Sequence, residues 1–148
     1  MPDVKQQLTR VGNRVAVWLY EVLDGRVSSG RRGVHVLVIT TSGRRTGLQR
    51  STCVRYLDIA GGFVVWGTGS GSPRDPDWFR NLRDTEVAIA RVGAKRHQVR
   101  PRELVGRERD RMWNNVVLAQ APEVAKYAQR ANRKIPVAVL TPLEGESA

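Results

Sequence analysis

The chain has 148 residues, 41% hydrophobic and 26% charged, with 14 Gly and 7 Pro, which suits one globular domain (1–148) and excludes collagen, coiled coil and disorder. One cysteine and two histidines exclude an internal disulfide and leave no cluster for structural zinc. Twenty-five Lys and Arg against 14 Asp and Glu give a net charge of +11, a field that attracts polyanions: nucleic acid, an anionic membrane face, or a cofactor carrying phosphate and carboxylates.

Apolar residues at Val4, Leu8, Val11, Val15, Trp18 and Val22 form one stripe at helical period, so residues 3–23 are expected as an amphipathic helix. Asp24-Gly25 ends it, and residues 25–33 read as a basic linker. A barrel core is expected over 34–141. Val34–Thr41 is nearly all apolar or β-branched and predicts a buried strand. Ser42-Gly43-Arg44-Arg45-Thr46-Gly47 turns the chain into a second strand, Arg50–Leu57, with Arg50, Thr52, Val54 and Tyr56 on one face and Ser51, Cys53, Arg55 and Leu57 on the other. Gly61-Gly62 leads to a third strand, Phe63–Thr68. Short loops between sequential strands imply antiparallel pairing.

A Gly/Ser-rich loop follows from Gly69. Asp75-Pro76 predicts a short helix to about Arg83, with Asp75 as cap and Pro76 at the first helical position. Glu86–Val92 and Lys95–Pro101 flank Gly93-Ala94, a type II′ hairpin by its leading glycine. Helices are expected over Arg107–Gln120, burying Met112, Trp113, Val116 and Val117, and over Pro122–Ala131. Ile135–Thr141 closes as a strand. The pattern is α+β: about six antiparallel strands flanked by helices, without the regular alternation of a doubly wound sheet. The longest apolar runs are far shorter than the roughly 20 residues of a membrane-spanning helix. No secretory pattern is visible, so the expected setting is a reducing cytoplasm.

Three segments can carry chemistry. In Gly43-Arg44-Arg45-Thr46-Gly47 the glycines let the backbone curl, and the forked arginines and the hydroxyl suit phosphate or carboxylate. The stretch Val34–Leu57 holds Arg44, Arg45, Arg50 and Arg55 and no acid; the plain alternative is a solvated hairpin. Trp66-Gly67-Thr68-Gly69-Ser70-Gly71-Ser72 resembles a dinucleotide fingerprint but places Ser72 at the third glycine and lacks a βαβ unit, so a mobile loop over a ligand, or a plain linker, is expected instead. Asp75-Pro76-Asp77-Trp78-Phe79-Arg80-Asn81-Leu82 offers a helix start, two aromatics and an amide able to dock a flat heteroaromatic ring, although Trp78 and Leu82 also share a packing face. His35, His97 and Cys53 form no nucleophilic arrangement. A ligand cradle without acid–base equipment points to a cofactor that brings the chemistry.

Ile39-Thr40-Thr41-Ser42-Gly43-Arg44-Arg45-Thr46-Gly47 with Arg50, the run Pro73 to Leu82, and Ile135-Pro136-Val137 together resemble the deazaflavin-dependent nitroreductase and quinone-reductase family of actinobacteria. The resemblance implies an antiparallel split β-barrel, similar to the FMN-binding barrels, that holds coenzyme F420, a deazaflavin with a phosphate and oligoglutamate tail. It implies that Arg44, Arg45, Thr46 and Arg50 hold the tail. Ser51, Thr52, Cys53, Val54, Arg55, Trp66, Gly67, Thr68 and Gly69 would line the groove, and Asp77, Trp78, Phe79, Arg80 and Asn81 would lie near the ring. Thr68 and Tyr127 are the candidate proton donors to a small-molecule hydride acceptor, a quinone, enone or nitroaromatic. Family members that reduce bulky nitroimidazoles line the acceptor pocket with several tyrosines. Here Tyr127 alone remains in the late helix, and Arg55 replaces an aromatic. Two other readings stay open: an FMN-dependent barrel oxidoreductase, or a basic protein binding nucleic acid or a membrane surface. Aromatics make up 6% of the chain and do not interleave with the Arg run, so no specific nucleic acid is expected. The 3–23 helix either rests on the inner face of the membrane or covers the barrel.

Overall fold

A computed structural model describes residues 35–143; the helix expected over 3–23 and the linker over 25–33 lie outside them. The described order is β1 (His35–Ser42), β2 (Gln49–Ile59), β3 (Gly62–Trp66), a 3₁₀ turn (Gly69–Gly71), α1 (Asp77–Arg83), β4 (Ala88–Val92) and β5 (Lys95–Glu103). Then follow α2, built from Gly106–Met112, a π turn Trp113–Val117 and a last turn Leu118–Gln120, α3 (Val124–Ala131) and β6 (Val137–Pro142). The strands close into one barrel in the order β1-β2-β3-β6-β5-β4, every neighbouring pair antiparallel.

Period-2 alternation builds two apolar layers from the same strands. Leu37, Ile39, Val54, Tyr56, Phe63, Val65, Ala138 and Leu140 fill the barrel, joined by Phe79 and Leu82 from α1. Their neighbours Leu57, Val64, Trp66, Val137 and Val139 point outward and are covered by Trp113 and Val117 of α2 and by Val124 and Ala131 of α3. Strands β3 and β6 are therefore apolar on both faces, as double burial requires. Gly93 takes φ 61°, and Ala94 is not among the residues with positive φ, as a type II′ hairpin demands and a type I′ does not.

The start of α1 differs from expectation. Pro76, not Asp75, occupies the N-terminal cap position, and it makes no side-chain cap bond. Asp75 is drawn away by two cations: its Oδ1 accepts from Arg133 Nη1 at 2.8 Å and its Oδ2 from Arg83 Nη2 at 3.0 Å. Charge-assisted bonds of this kind outweigh a single cap bond.

Candidate functional site: a basic turn, a clamped glycine loop and the helix between them

The turn after β1 is tight. Gly43 N–H donates to Leu48 O at 2.7 Å and Gly47 N–H to Gly43 O at 2.8 Å, with Gly47 at φ 72°. Thr46 Oγ1 accepts from Leu48 N–H at 3.3 Å. A Cβ on Gly43 would stand 3.1 Å from Thr46 Oγ1 and 3.2 Å from Arg50 Nε, so the missing side chain lets the hydroxyl and the guanidinium close in on the turn. Arg45, Thr46 and Arg50 are exposed, and among the described residues no carboxylate pairs with Arg45 or Arg50. Such a donor set, with its charge uncommitted, suits a phosphate or carboxylate tail.

Arg44 is different. Its backbone N–H and its Nη1 both donate to Asn81 Oδ1, at 3.2 and 2.9 Å, and its Nη2 reaches Asp77 Oδ1 at 3.4 Å. Asn81 is 4% exposed and spends its carbonyl oxygen on this tie, and Asp77 also faces Arg80 at 3.9 Å. Arg44, Asp77 and Asn81 therefore anchor the basic turn to α1.

The residues expected to line a groove along β2 divide between two faces. Ser51, Cys53 and Arg55 point outward, while Thr52 and Val54 turn to the barrel side, with Val54 in the core. A strand cannot offer consecutive residues to one groove, and Thr52 and Val54 leave that set on this ground. Ser51 Oγ lies 2.8 Å from Thr40 Oγ1. Arg55 Nη2 donates to Glu123 Oε1 at 2.7 Å and its guanidinium lies 5.7 Å from the Trp66 ring centre, so its charge is matched within the chain. Its Nε is buried and has no partner among the described residues. Burial pushes the Cys53 thiol up to about 11, which leaves it protonated at neutral pH and no nucleophile.

The glycine loop, expected as a mobile segment, is tied down by one side chain. Arg133 donates from Nε to Ser72 O at 3.0 Å, from Nη1 to Asp75, and from Nη2 to the carbonyls of Gly67, Thr68 and Arg74 at 3.0, 3.1 and 2.9 Å. Gly67 is packed so closely that a Cβ would meet Pro76, Phe79 and Pro136 at 3.1–3.2 Å. Gly71, at φ 89°, faces Arg130, whose Cδ would lie 2.6 Å from a Cβ. These glycines serve close packing of α1 and α3 around the loop. The α1 start touches both halves of the site: Pro76 abuts Gly67 and Gly69, and Asp77 and Asn81 hold Arg44.

Phe79 is fully buried in the barrel, so packing accounts for it and it presents no face to a ring. Trp78 is half-buried beside it, edge-on with centroids 5.4 Å apart. Thr68 and Tyr127 are half-buried. The α3 helix that carries Tyr127 packs on the Gly69–Gly71 turn, and Lys126 and Arg130 lie over the Tyr127 ring at 5.2 and 5.9 Å. Sequence reasoning missed Arg133, because its five acceptors come mostly from carbonyls some sixty residues away in the chain; the one local sign was Asn132, a residue that tolerates the left-handed cap it adopts at φ 52°.

Comparison with known proteins identifies the family and the fold. Residues 12–142 match the family model described as F420H(2)-dependent quinone reductase. An F420H(2)-dependent quinone reductase of Mycobacterium tuberculosis is 30% identical over 149 residues, covering 94% of this chain and 98% of that protein. A solved F420-H2 dependent reductase (FDR-A) superposes with a TM-score of 0.63 at 25% identity, over 74% of this chain and 94% of its own. A further solved chain, described as a domain-swapped dimer, shares the fold with a TM-score of 0.64 at 23% identity, over 86% of this chain and 96% of its own. With the closed six-stranded antiparallel barrel in place and the match spanning nearly all of the chain, this protein belongs to the F420H(2)-dependent quinone reductase family of oxidoreductases.

Proposed function

We propose that the chain grips the anionic tail of F420 with Arg45, Thr46 and Arg50 while Arg44, Asp77 and Asn81 hold that turn against α1. The observation that carries this reading is the pair of exposed arginines, Arg45 and Arg50, which have no carboxylate partner among the described residues and stand on the tight turn at Gly43. The outward residues Ser51, Cys53 and Arg55 and the segment Trp66–Gly69 form the wall nearest the ring. When bound, the reduced deazaflavin supplies a hydride, and the chain's task is to orient the acceptor and keep water from the meeting atoms. The acceptor class is a quinone, with enones and nitroaromatics as related substrates. Arg55 and the single Tyr127 make a wall less aromatic than nitroimidazole reduction calls for. Thr68 and Tyr127 hydroxyls supply the proton that the reduced acceptor takes up.

Titration of reduced and oxidised F420 beside flavin mononucleotide tests the cofactor assignment. F420 is expected to bind in the micromolar range or tighter, and FMN at least about tenfold more weakly, since it lacks the glutamate carboxylates that Arg45 and Arg50 would meet. Equal affinities would return the FMN reading. No helix among the described residues is long and apolar enough to cross a membrane. Contact of residues 3–23 with an anionic bilayer, which would bring the site toward a lipid quinone, is a separate part of this proposal. It is read by liposome co-sedimentation with and without residues 1–24.

A further inference from the structure

We propose that Arg133 is the positioning residue of the cofactor site: one guanidinium fixes the shape of the 67–75 segment and so sets its affinity for F420. This rests on the reading that F420 occupies the site. The side chain is 14% exposed and meets four main-chain carbonyls and one carboxylate at 2.8–3.1 Å. Nη2 alone faces three carbonyls, so one of its two hydrogens is shared.

Peptide planarity gives this clamp a directional consequence. In each trans peptide the N–H points opposite to the C=O. Drawing the Gly67 and Thr68 carbonyls onto Arg133 therefore turns the N–H groups of Thr68 and Gly69 to the other side of the chain. Among the described residues neither N–H has an acceptor. Two consecutive donors, held by a charge behind them, suit a carbonyl or anionic oxygen of the ligand. The held conformation is also a costly one: Gly69, Ser70 and Gly71 run at φ 55°, 56° and 89°, and Ser70 carries a Cβ in that region. Such a run persists only where surrounding bonds impose it.

Lysine keeps the charge of Arg133 but concentrates its donors at one atom, and cannot span from Ser72 O to Gly67 O at once. In Arg133→Lys, F420 is expected to bind about tenfold more weakly or worse, while kcat at saturating cofactor stays within about threefold. Amide exchange over residues 68–74 of the unliganded variant is expected to rise. Arg102→Gln, which removes an exposed arginine paired with Glu108, serves as the control and leaves both readouts unchanged. A folded Arg133→Lys protein with wild-type affinity overturns the inference. Should that variant fail to fold, Asp75→Asn carries the same test, with a several-fold loss of affinity expected and wild-type affinity overturning it. Failure of the unaltered protein to bind F420 removes the cofactor reading instead; unchanged loop exchange in the variant then removes the clamp on its own evidence.

Discussion

Arg44 and Arg45 are adjacent in the chain and differ in what they are free to do. Arg44 is committed to Asn81 and Asp77, whereas Arg45 points to solvent. Replacing Arg45 and Arg50 together by Glu is expected to weaken F420 binding by about tenfold or more with little change in melting temperature, because two exposed cations become anions facing an anion. Arg44→Ala is expected to lower stability by about 1–3 kcal/mol as well, since it leaves the Asn81 carbonyl with one donor fewer in a buried site. Isothermal titration and thermal melts of the two variants separate these effects. Cys53 gives a pH signature. Its thiol titrates near 9.0 in ordinary surroundings and about 11 here because burial disfavours the thiolate. The unfolded chain releases this proton first, so the Cys53 contribution to stability is fully present below pH 9 and is lost as pH rises toward 11. Denaturant melts across that window are expected to fall more steeply for the parent than for Cys53→Ala, and iodoacetamide is expected to leave the native thiol unmodified at neutral pH.

At the scale of elements, α1 is the piece on which most else depends. It sends Phe79 and Leu82 into the barrel, offers Asp77 and Asn81 to the basic turn, and is tied on its outer side by Arg83, whose guanidinium meets Glu103 at 2.7 Å and Asp75 at 3.0 Å. Those bonds, with Glu103 first, raise the Arg83 pKa above its ordinary value. Phe79→Ala removes a fully buried ring from this seat and is expected to cost about 3–5 kcal/mol, lowering the melting temperature by roughly 10 °C. A variant that melts with the parent would place Phe79 outside the core. The α2 helix shows what periodicity reveals and what it hides. Met112, Trp113, Val116 and Val117 were legible as its apolar side, and all four pack on the outer layer. The π turn was not. Arg109, Trp113, Val117 and Ala121 are all buried at a constant spacing of four, which drifts by about 40° per step on a regular helix of roughly 3.6 residues per turn. The wider π turn takes up that drift and keeps the row facing the barrel. Arg109, read as nothing in the sequence, uses the same row to reach Ile135 O with Nε and Nη2 at 3.1 and 2.6 Å.

For the molecule as a whole, the antiparallel pairing of sequential strands followed from short loops and alternating residues, and the basic turn from two glycines around paired arginines. The β3–β6, β6–β5 and β4–β1 ladders that close the barrel join strands distant in the chain or separated by helices and had no local signal. Long-range hydrogen bonds were not legible: no local pattern announces that Arg133 gathers the 67–75 carbonyls, that Asp75 leaves its helix for two arginines, or that Arg55 meets Glu123. Nor does residue type alone tell a glycine that flexes from one that is packed, as Gly67 and Gly71 are. One property of the barrel bears on how the protein ages in solution. β1 is laddered to β2 from His35–Tyr56 through Ser42–Gln49 but meets β4 only at Val38–Arg91, Ile39–Ala90 and Thr40–Ile89. That short seam is where the cylinder unzips at least expense, baring two strand edges to another molecule. Amides of β4 are accordingly expected to exchange with deuterium ahead of those of β3, which lies between two longer ladders and under the helical layer. Slow growth of strand-exchanged oligomers would start at the same place.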